Sequence, residues 1–522
     1  MTAPCPRPFS PGDRAAGVLL HVTSLPSRHG VGDLGPAAFT WIDRLHDAGL
    51  QWWQALPVGP TGWGDSPYQA LSSFAGNGLL LSPDRLVEDG LLRPADVEGR
   101  HFPTLSVDYE SVIPFKRGLL ETAWRCFRAG ARPDLKATFE EFCHQQAGWL
   151  EDYALFRALK ERYRGAHYLQ WPRPLVERRP TALSAARRDA AAEVDQVRFA
   201  QFLLFRQAAA LKAYAADREV RLLGDLPFFV SPDSSDVWAR PELFLLDAER
   251  RPRALAGVPP DAFSAEGQLW GNPVYDWEAL RARGYQWWIS RIRGLLAHVD
   301  VVRLDHFRAF AAAWHVTAGA ASARCGEWVP GPGAEFFSVV LRELGRLPFV
   351  VEDLGVITPD VDRLRDHFDL PGTRVLQFAF DGDWRSPHLP HNYPANAVVY
   401  TGTHDNPTTR GWYETLGDAQ RRRLWSYVQR VDGSSREALT AMLSLAWSSP
   451  AALAIAPFQD VLGLGDEARM NVPGAVDGNW RWRCTGDTLS PEVFEPLRDM
   501  TVTARRVARH RPRPGCGASA AS

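Results

Sequence analysis

The sequence predicts an α/β fold, a (β/α)8 barrel carrying large, mainly helical insertions. Eight short apolar runs rich in β-branched residues are spread along the chain, the composition of strands buried on both faces in a parallel sheet. The first two runs bracket one helical stretch, a β-α-β unit, which implies parallel pairing. Carboxylates recur at the C-terminal ends of the runs, the face on which barrel enzymes build their sites.

Taken in order, residues 16–22 read as the first strand, closed by the turn Thr23-Ser24-Leu25-Pro26-Ser27. Residues 36–48 carry Phe39, Trp41, Ile42 and Leu45 at helical spacing, and Gly49 stops the helix. Residues 51–58 are the second strand. The loop that follows, 59–69, is fixed by glycine and proline and presents Trp63 and Tyr68, flat faces suited to a sugar ring or to packing. In so polar a loop, ligand contact is the favoured reading.

Residues 80–215 predict a mainly helical insertion. One stripe runs through Trp149, Leu150, Tyr153, Leu155, Phe156 and Leu159; another runs through Phe199, Phe202, Leu203, Phe205, Leu211 and Tyr214. Both read as core. Strands then resume at 220–227, 299–305, 347–355, 373–378, 397–402 and 452–457, with helices such as 334–344, stopped by Gly345, and 418–429 between them. The stretch 257–275 reads as a lid-like loop, stiffened by Pro259-Pro260, allowed to bend at Gly257 and Gly267, and anchored by Phe263 and Trp270. Residues 1–14 read as a flexible leader, 15–505 as the catalytic barrel and 506–522 as a flexible tail.

The chain has 522 residues, 45% of them hydrophobic, which allows either about two to four domains or one decorated barrel. A net charge of −2 gives no footing for nucleic acid or an anionic membrane. Tryptophan outnumbers methionine 20 to 4, which suits either a core or sugar-stacking platforms. The six cysteines, Cys5, Cys126, Cys143, Cys325, Cys484 and Cys516, are scattered without zinc-ligand spacing and read as reduced thiols of a cytoplasmic protein. There is no signal-peptide pattern and no apolar run of the roughly 18 residues that a membrane span needs.

The chemistry centres on Val301-Val302-Arg303-Leu304-Asp305-His306-Phe307-Arg308. In a strand, Arg303 and Asp305 share a face, and a cation beside a carboxylate favours its ionised form. An ionised Asp at a strand end is placed to act as a nucleophile; an isolated one would more simply be a helix cap or structural ion partner. Glu352 and Asp405 stand at two other strand ends, and His404 precedes Asp405. For Glu352 the rival reading is a helix cap, for which the neighbouring Asp353 is better suited; for His404 it is a satisfied core histidine. Glycoside chemistry requires one carboxyl group to attack the anomeric carbon and another to protonate the leaving oxygen. That all these groups are structural, on one barrel rim, is the less economical explanation.

From about residue 17 to 483 the chain resembles the amylomaltases, 4-α-glucanotransferases also called disproportionating enzymes. The resemblance is carried by Leu25-Pro26-Ser27, Ser66-Pro67-Tyr68-Gln69, Gly224-Asp225-Leu226-Pro227, Gly257-Val258-Pro259-Pro260-Asp261 and Trp270-Gly271-Asn272-Pro273. It continues through the Asp305 segment, Glu352-Asp353-Leu354-Gly355, Gly402-Thr403-His404-Asp405-Asn406 and Met470-Asn471-Val472-Pro473-Gly474. It implies Asp305 as nucleophile, Glu352 as acid/base and Asp405 as transition-state stabiliser. It puts Asp225, Arg303 and His404 around the sugar at the cleavage point, Tyr68 stacked there, and Trp270, Asn272 and Asn471 among the sugar-binding residues. Trp63 stands where the family often shows Tyr, beside a second glucan-binding groove; tryptophan keeps the stacking face without the hydroxyl. The resemblance implies a retaining transfer of α-1,4-glucan segments, from maltodextrin, starch or glycogen fragments to a glucan or glucose acceptor. It implies no metal and no cofactor, a monomer, and no β-sandwich after the barrel, in keeping with the short chain left after the eighth strand. The rivals are an α-amylase-like hydrolase with the same three carboxylates and a non-catalytic glucan-binding barrel.

Overall fold

Eight parallel strands close into a barrel in the computed structural model, which describes residues 8–10, 12–260, 266–475 and 477–507. In chain order the strands of the molecule are β1 (Ala15–Leu19), β2 (Trp52–Gln54), β3 (Arg221–Leu226), β4 (Ala254–Val258), β5 (Gln268–Pro273), β6 (Val301–Leu304), β7 (Ala312–Thr317), β8 (Gly326–Pro330), β9 (Phe349–Val351), β10 (Gly372–Val375), β11 (Ala397–Tyr400) and β12 (Leu453–Pro457). The barrel uses β1, β2, β3, β6, β9, β10, β11 and β12, each paired with the next, and β12 closes on β1. All eight runs read as strands form these eight.

Strand alternation divides the wall in two. Leu19, Trp52, Leu223, Val301, Val350, Val398 and Ile455 meet in one buried cluster along the barrel axis. Their neighbours Val18, Trp53, Leu222, Val302, Phe349, Val351, Val399 and Ala454 turn outward into the clusters under the helices. The axis is tight where β1 faces β2: a Cβ on Gly17 would lie 2.5 Å from both the Cβ and the carbonyl oxygen of Trp52. Gly17→Val is therefore expected to destabilise the barrel by about 1–3 kcal/mol, the usual cost of overpacking, read as a lower denaturation midpoint. Wild-type stability in that variant would mean that β1 moves freely.

The insertion after β2 is helical, through Tyr109–Arg128, Asp134–Gln145, Ala147–Arg162 and Ala191–Asp217 among others. Both stripes face inward as expected, with Leu150, Leu155, Phe156, Leu159 and Phe199 fully buried. The helix at Pro36–Asp47 and the one at Gly333–Leu344 end where expected, before Gly49 and Gly345, both at positive φ.

The structure departs from the sequence reading at 257–275. That stretch is largely a β-hairpin rather than an irregular loop: β4 and β5 pair antiparallel, and with β7 and β8 they make a four-stranded sheet in the order β5-β4-β7-β8. Phe263 lies outside the described residues. Of the leader, Phe9 is buried against Trp52 and Arg14 donates to the carbonyl of Ser449. At the other end, Arg506 is buried and donates to the carbonyls of Trp447, Ala15, Ala451 and Ser449. The rest of the tail, from residue 508, is outside the described residues. Among those described, no helix is long and apolar enough to cross a membrane.

Candidate active site

The alternation that fills the axis with Leu223, Val301 and Val350 also decides what lies above them. Two residues further along the same strands come Asp225, Arg303 and Glu352, and four beyond Val301 comes Asp305. All four therefore point to the mouth of the barrel at the strands' C-terminal ends. Asp353 has the opposite parity. It is buried on the outer side, accepting from Arg365 Nη1 at 2.7 Å and from the backbone N–H of Thr373 at 2.6 Å.

Register sets the spacing across strands. Asp225 on β3 is level with Arg303 on β6, and Leu304 is level with Val351, so Asp305 and Glu352 each stand one step beyond a paired position on adjacent strands. Neighbouring strands lie about 4.8 Å apart, so the two acids stand side by side on the rim.

Arg303 ties the floor together. Its Nη1 donates to both carboxylate oxygens of Asp225, at 2.9 and 2.8 Å, and to Asp305 Oδ1 at 3.0 Å. Burial opposes its charge, but Asp225 and Asp305 outweigh burial and hold the guanidinium above its ordinary value. Tyr68 OH donates to Asp225 Oδ2 at 2.8 Å, and the Tyr68 ring stacks on His404 at 5.2 Å and 10°. The loop 59–69 thus reaches the site through Tyr68.

Glu352 is held differently. Its Oε2 accepts the backbone N–H of His306 at 2.8 Å and its Oε1 that of Leu354 at 3.0 Å. Burial pushes its carboxyl up to about 8; Arg303 and the His306 N–H oppose the shift, and the negative charges of Asp305 and Asp353 add to it. His306 offers its N–H from a left-handed conformation, φ 49° and ψ 49°, uncommon for a non-glycine residue. Its ring is boxed by Trp270, Phe229 and Phe228, and burial lowers its pKa to about 4. Asp405 faces the cleft from beyond β11. Asn471 Nδ2 donates to its Oδ1 at 2.6 Å, Arg469 Nη2 to its carbonyl at 2.6 Å, and His404 Nε2 lies 3.4 Å from its Oδ1. Two carboxyl groups level on adjacent strands, one of them protonated at neutral pH, are equipped for acid-assisted displacement at an acetal carbon.

Comparison with known proteins agrees with that chemistry. A family model described as 4-alpha-glucanotransferase, glycoside hydrolase family 77, matches residues 20–489. The chain belongs to this family. The glucanotransferase is 50% identical over 481 residues to the 4-alpha-glucanotransferase of Synechocystis sp., covering 91% of this chain and 95% of that one. It is 47% identical to the 4-alpha-glucanotransferase of Thermus thermophilus, covering 95% and 99%. A solved amylomaltase from Streptococcus agalactiae, in complex with acarbose, superposes with a TM-score of 0.91 at 35% identity, covering 95% of this chain and all of that one.

The remaining expected residues are placed as follows in the glucanotransferase. Trp270 lies on β5 with its ring 4.9 Å from His306, so the hairpin stands beside the nucleophile candidate. Asn272 is buried with its amide engaged inside the protein: Nδ2 donates to the Val230 carbonyl at 2.7 Å, and Oδ1 accepts from Gln69 at 3.4 Å. Trp63 is 80% exposed on a short turn, Trp63–Asp65. Among the described residues no cluster of His, Cys, Asp or Glu is arranged to hold a metal ion.

Sequence reasoning missed Trp480 and Arg469. Trp480 is 5% exposed, sits at φ 64°, and lies 5.8 Å from the Tyr68 ring and 5.9 Å from His404, backing their stack. A signal existed: Asn479-Trp480-Arg481-Trp482-Arg483 is an aromatic and basic run after the last strand, where no regular element calls for one.

Proposed function

We propose that this glucanotransferase moves α-1,4-glucan segments by double displacement, with Asp305, Glu352 and Asp405 in the three roles. Asp305 Oδ attacks the anomeric carbon of the donor while Glu352 gives its proton to the departing 4-oxygen. This leaves a covalent glucosyl ester and a shortened glucan with a free 4-hydroxyl. Glu352, now a carboxylate, removes the proton from the 4-hydroxyl of an acceptor, which attacks the same carbon and releases Asp305. Asp405, steadied by Asn471, holds sugar hydroxyls as charge develops on the ring. Arg303 and Asp225, with Tyr68, form the floor of that subsite. The observation that carries the reading is Glu352: a buried carboxyl raised to about 8, level with Asp305 on the adjacent strand. An acid needs its proton at working pH, and a nucleophile needs to be without one.

Glucose serves as an acceptor as well as longer glucans, since it too presents a 4-hydroxyl. The working unit is read as a monomer. The free thiols Cys126, Cys143, Cys325 and Cys484 suit a reducing, cytoplasmic setting. The test is maltotriose alone. Transfer breaks one bond and makes another, so glucose and longer maltodextrins should appear with little net gain of reducing ends. A steady rise in reducing ends with no oligomer longer than the substrate would assign hydrolysis instead.

The hairpin β4–β5 is read as cover that keeps water from the glucosyl ester, because Trp270 borders the nucleophile's neighbour. Val258 and Gln268 face each other, so an Asn-Gly turn can replace 259–267 without disturbing the register. The shortened protein should release more reducing sugar per glucan transferred. An unchanged ratio would remove the covering role.

A further inference from the structure

Asp405 stands in the loop 401–408, between β11 and the helix Thr409–Thr415. One buried carboxylate ties the two ends of this loop. Asp460 Oδ2 accepts from the hydroxyls of Thr401 and Thr409, each at 2.6 Å, and its Oδ1 accepts the Thr409 backbone N–H at 2.7 Å. Inside the loop, Asn406 Oδ1 accepts the backbone N–H and the hydroxyl of Thr403, and the Asp405 N–H reaches Thr403 Oγ1 at 3.3 Å. The Asp405 side chain is 46% exposed at the cleft, so packing alone does not fix it.

What fixes it comes from Arg469-Met470-Asn471, a segment more than 60 residues later that runs alongside. The Asn471 N–H donates to the His404 carbonyl at 3.2 Å, and Asn471 Nδ2 to Asp405 Oδ1 at 2.6 Å. Arg469 closes the ring. Its Nη2 donates to the Asp405 carbonyl at 2.6 Å and its Nε to the Asn471 carbonyl at 2.8 Å. Nε and Nη2 share one edge of a planar guanidinium, so the rigid fork sets the separation of the two carbonyls it grips. The residues gripped are the same two whose side chains meet. A lysine ammonium is a point charge on a flexible stem; it can meet one carbonyl without imposing that separation.

We propose that Arg469 is a positioning residue for the transfer reaction, acting through Asp405 rather than on the sugar. It holds the Asp405 carboxylate in register with the donor ring as positive charge develops there. This rests on the stabilising role given to Asp405 above. Electrostatic help of that kind depends on a group already in place, and a displacement of about 1 Å can cost about 10²-fold in rate. Asp460 still anchors both ends of the loop when Arg469 is lost, so the fold should survive.

The test is a double-mutant cycle on maltotriose transfer with wild type, Arg469→Met, Asp405→Asn and the double variant. Asp405→Asn should lower kcat by about 10²–10³-fold, the scale for losing one preorganised electrostatic partner of the transition state. Arg469→Met should lower kcat by about 10²-fold with KM within about threefold of wild type and little change in melting temperature. In the Asp405→Asn background the same change should cost less than about threefold, because the charge it aims is gone. Arg469→Lys should recover part of the loss, and it carries the cycle if Arg469→Met fails to fold. Wild-type kcat in Arg469→Met, or an equal loss in both backgrounds, would overturn the positioning role and leave that of Asp405 standing. Wild-type kcat in Asp405→Asn would remove the role of Asp405 and this inference with it.

Discussion

Asp305→Asn is expected to lower transfer from maltotriose by roughly 10⁴–10⁶-fold, the scale on which enzymes respond to losing a covalent nucleophile or its partners. An amide nitrogen cannot form the glucosyl ester, and the amide oxygen is a far weaker nucleophile than a carboxylate. The swap is nearly isosteric. The Arg303 contact to Oδ1, 3.0 Å in the wild type, can persist with the amide oxygen as acceptor, and the side chain is at the mouth of the barrel rather than within its core. The melting temperature should therefore stay close to wild type while glucose release from maltotriose disappears. A variant that keeps activity within tenfold of wild type would end the nucleophile assignment.

Glu352→Gln should cost about 10²–10⁴-fold with maltotriose, because the departing 4-oxygen loses its proton donor. A maltosyl fluoride separates the two halves of the role, since fluoride leaves without a proton. With that donor the variant should form the glucosyl ester readily and then stall, because no base remains to activate the acceptor 4-hydroxyl; the accumulated ester is visible by intact-protein mass spectrometry. The pH dependence follows from the same group. Its carboxyl titrates at about 8, so the acid is present below that value and kcat/KM of the wild type should fall as pH rises through it. The sign for stability is the same. The native state holds this proton between the ordinary value of 4.5 and about 8, whereas the unfolded chain gives it up at 4.5. Stability contributed by the protonated form is complete below 4.5 and is lost as pH rises through 8. Glu352→Gln should remove that part of the decline. An alkaline limb unchanged in the variant would assign it to another group.

How much of this was legible beforehand differs from element to element. The eight barrel strands were legible because each is a short apolar run flanked by turn residues, a pattern that survives without knowledge of partners. The hairpin β4–β5 was not. Its sequence, Ala254-Leu255-Ala256-Gly257-Val258 and Gln268-Leu269-Trp270-Gly271-Asn272-Pro273, alternates weakly and is rich in glycine and proline. It becomes a sheet because β7, more than 50 residues after β4, pairs with β4 and is itself backed by β8. For Asn272, to which the resemblance gives a sugar-binding role, the partners that hold the amide, Val230 and Gln69, come from distant parts of the chain.

What the sequence determined by itself was local: strand positions, the parity that puts Arg303 and Asp305 on one face, and the identity of the acids at the strand ends. These depend on a period-two backbone and on side-chain type, both of which are written in the chain. What the tertiary structure decided was relational. Which of the adjacent acids Glu352 and Asp353 turns to the axis follows from the register of β9 against β6, and the raised pKa of Glu352 follows from its burial beside Asp305. The donors that hold Glu352 are backbone N–H groups of His306 and Leu354, and Trp480 backs the Tyr68–His404 stack although it lies over 400 residues beyond Tyr68. Burial and register are properties of neighbours brought together by closure of the barrel, and one strand's sequence does not contain its neighbours.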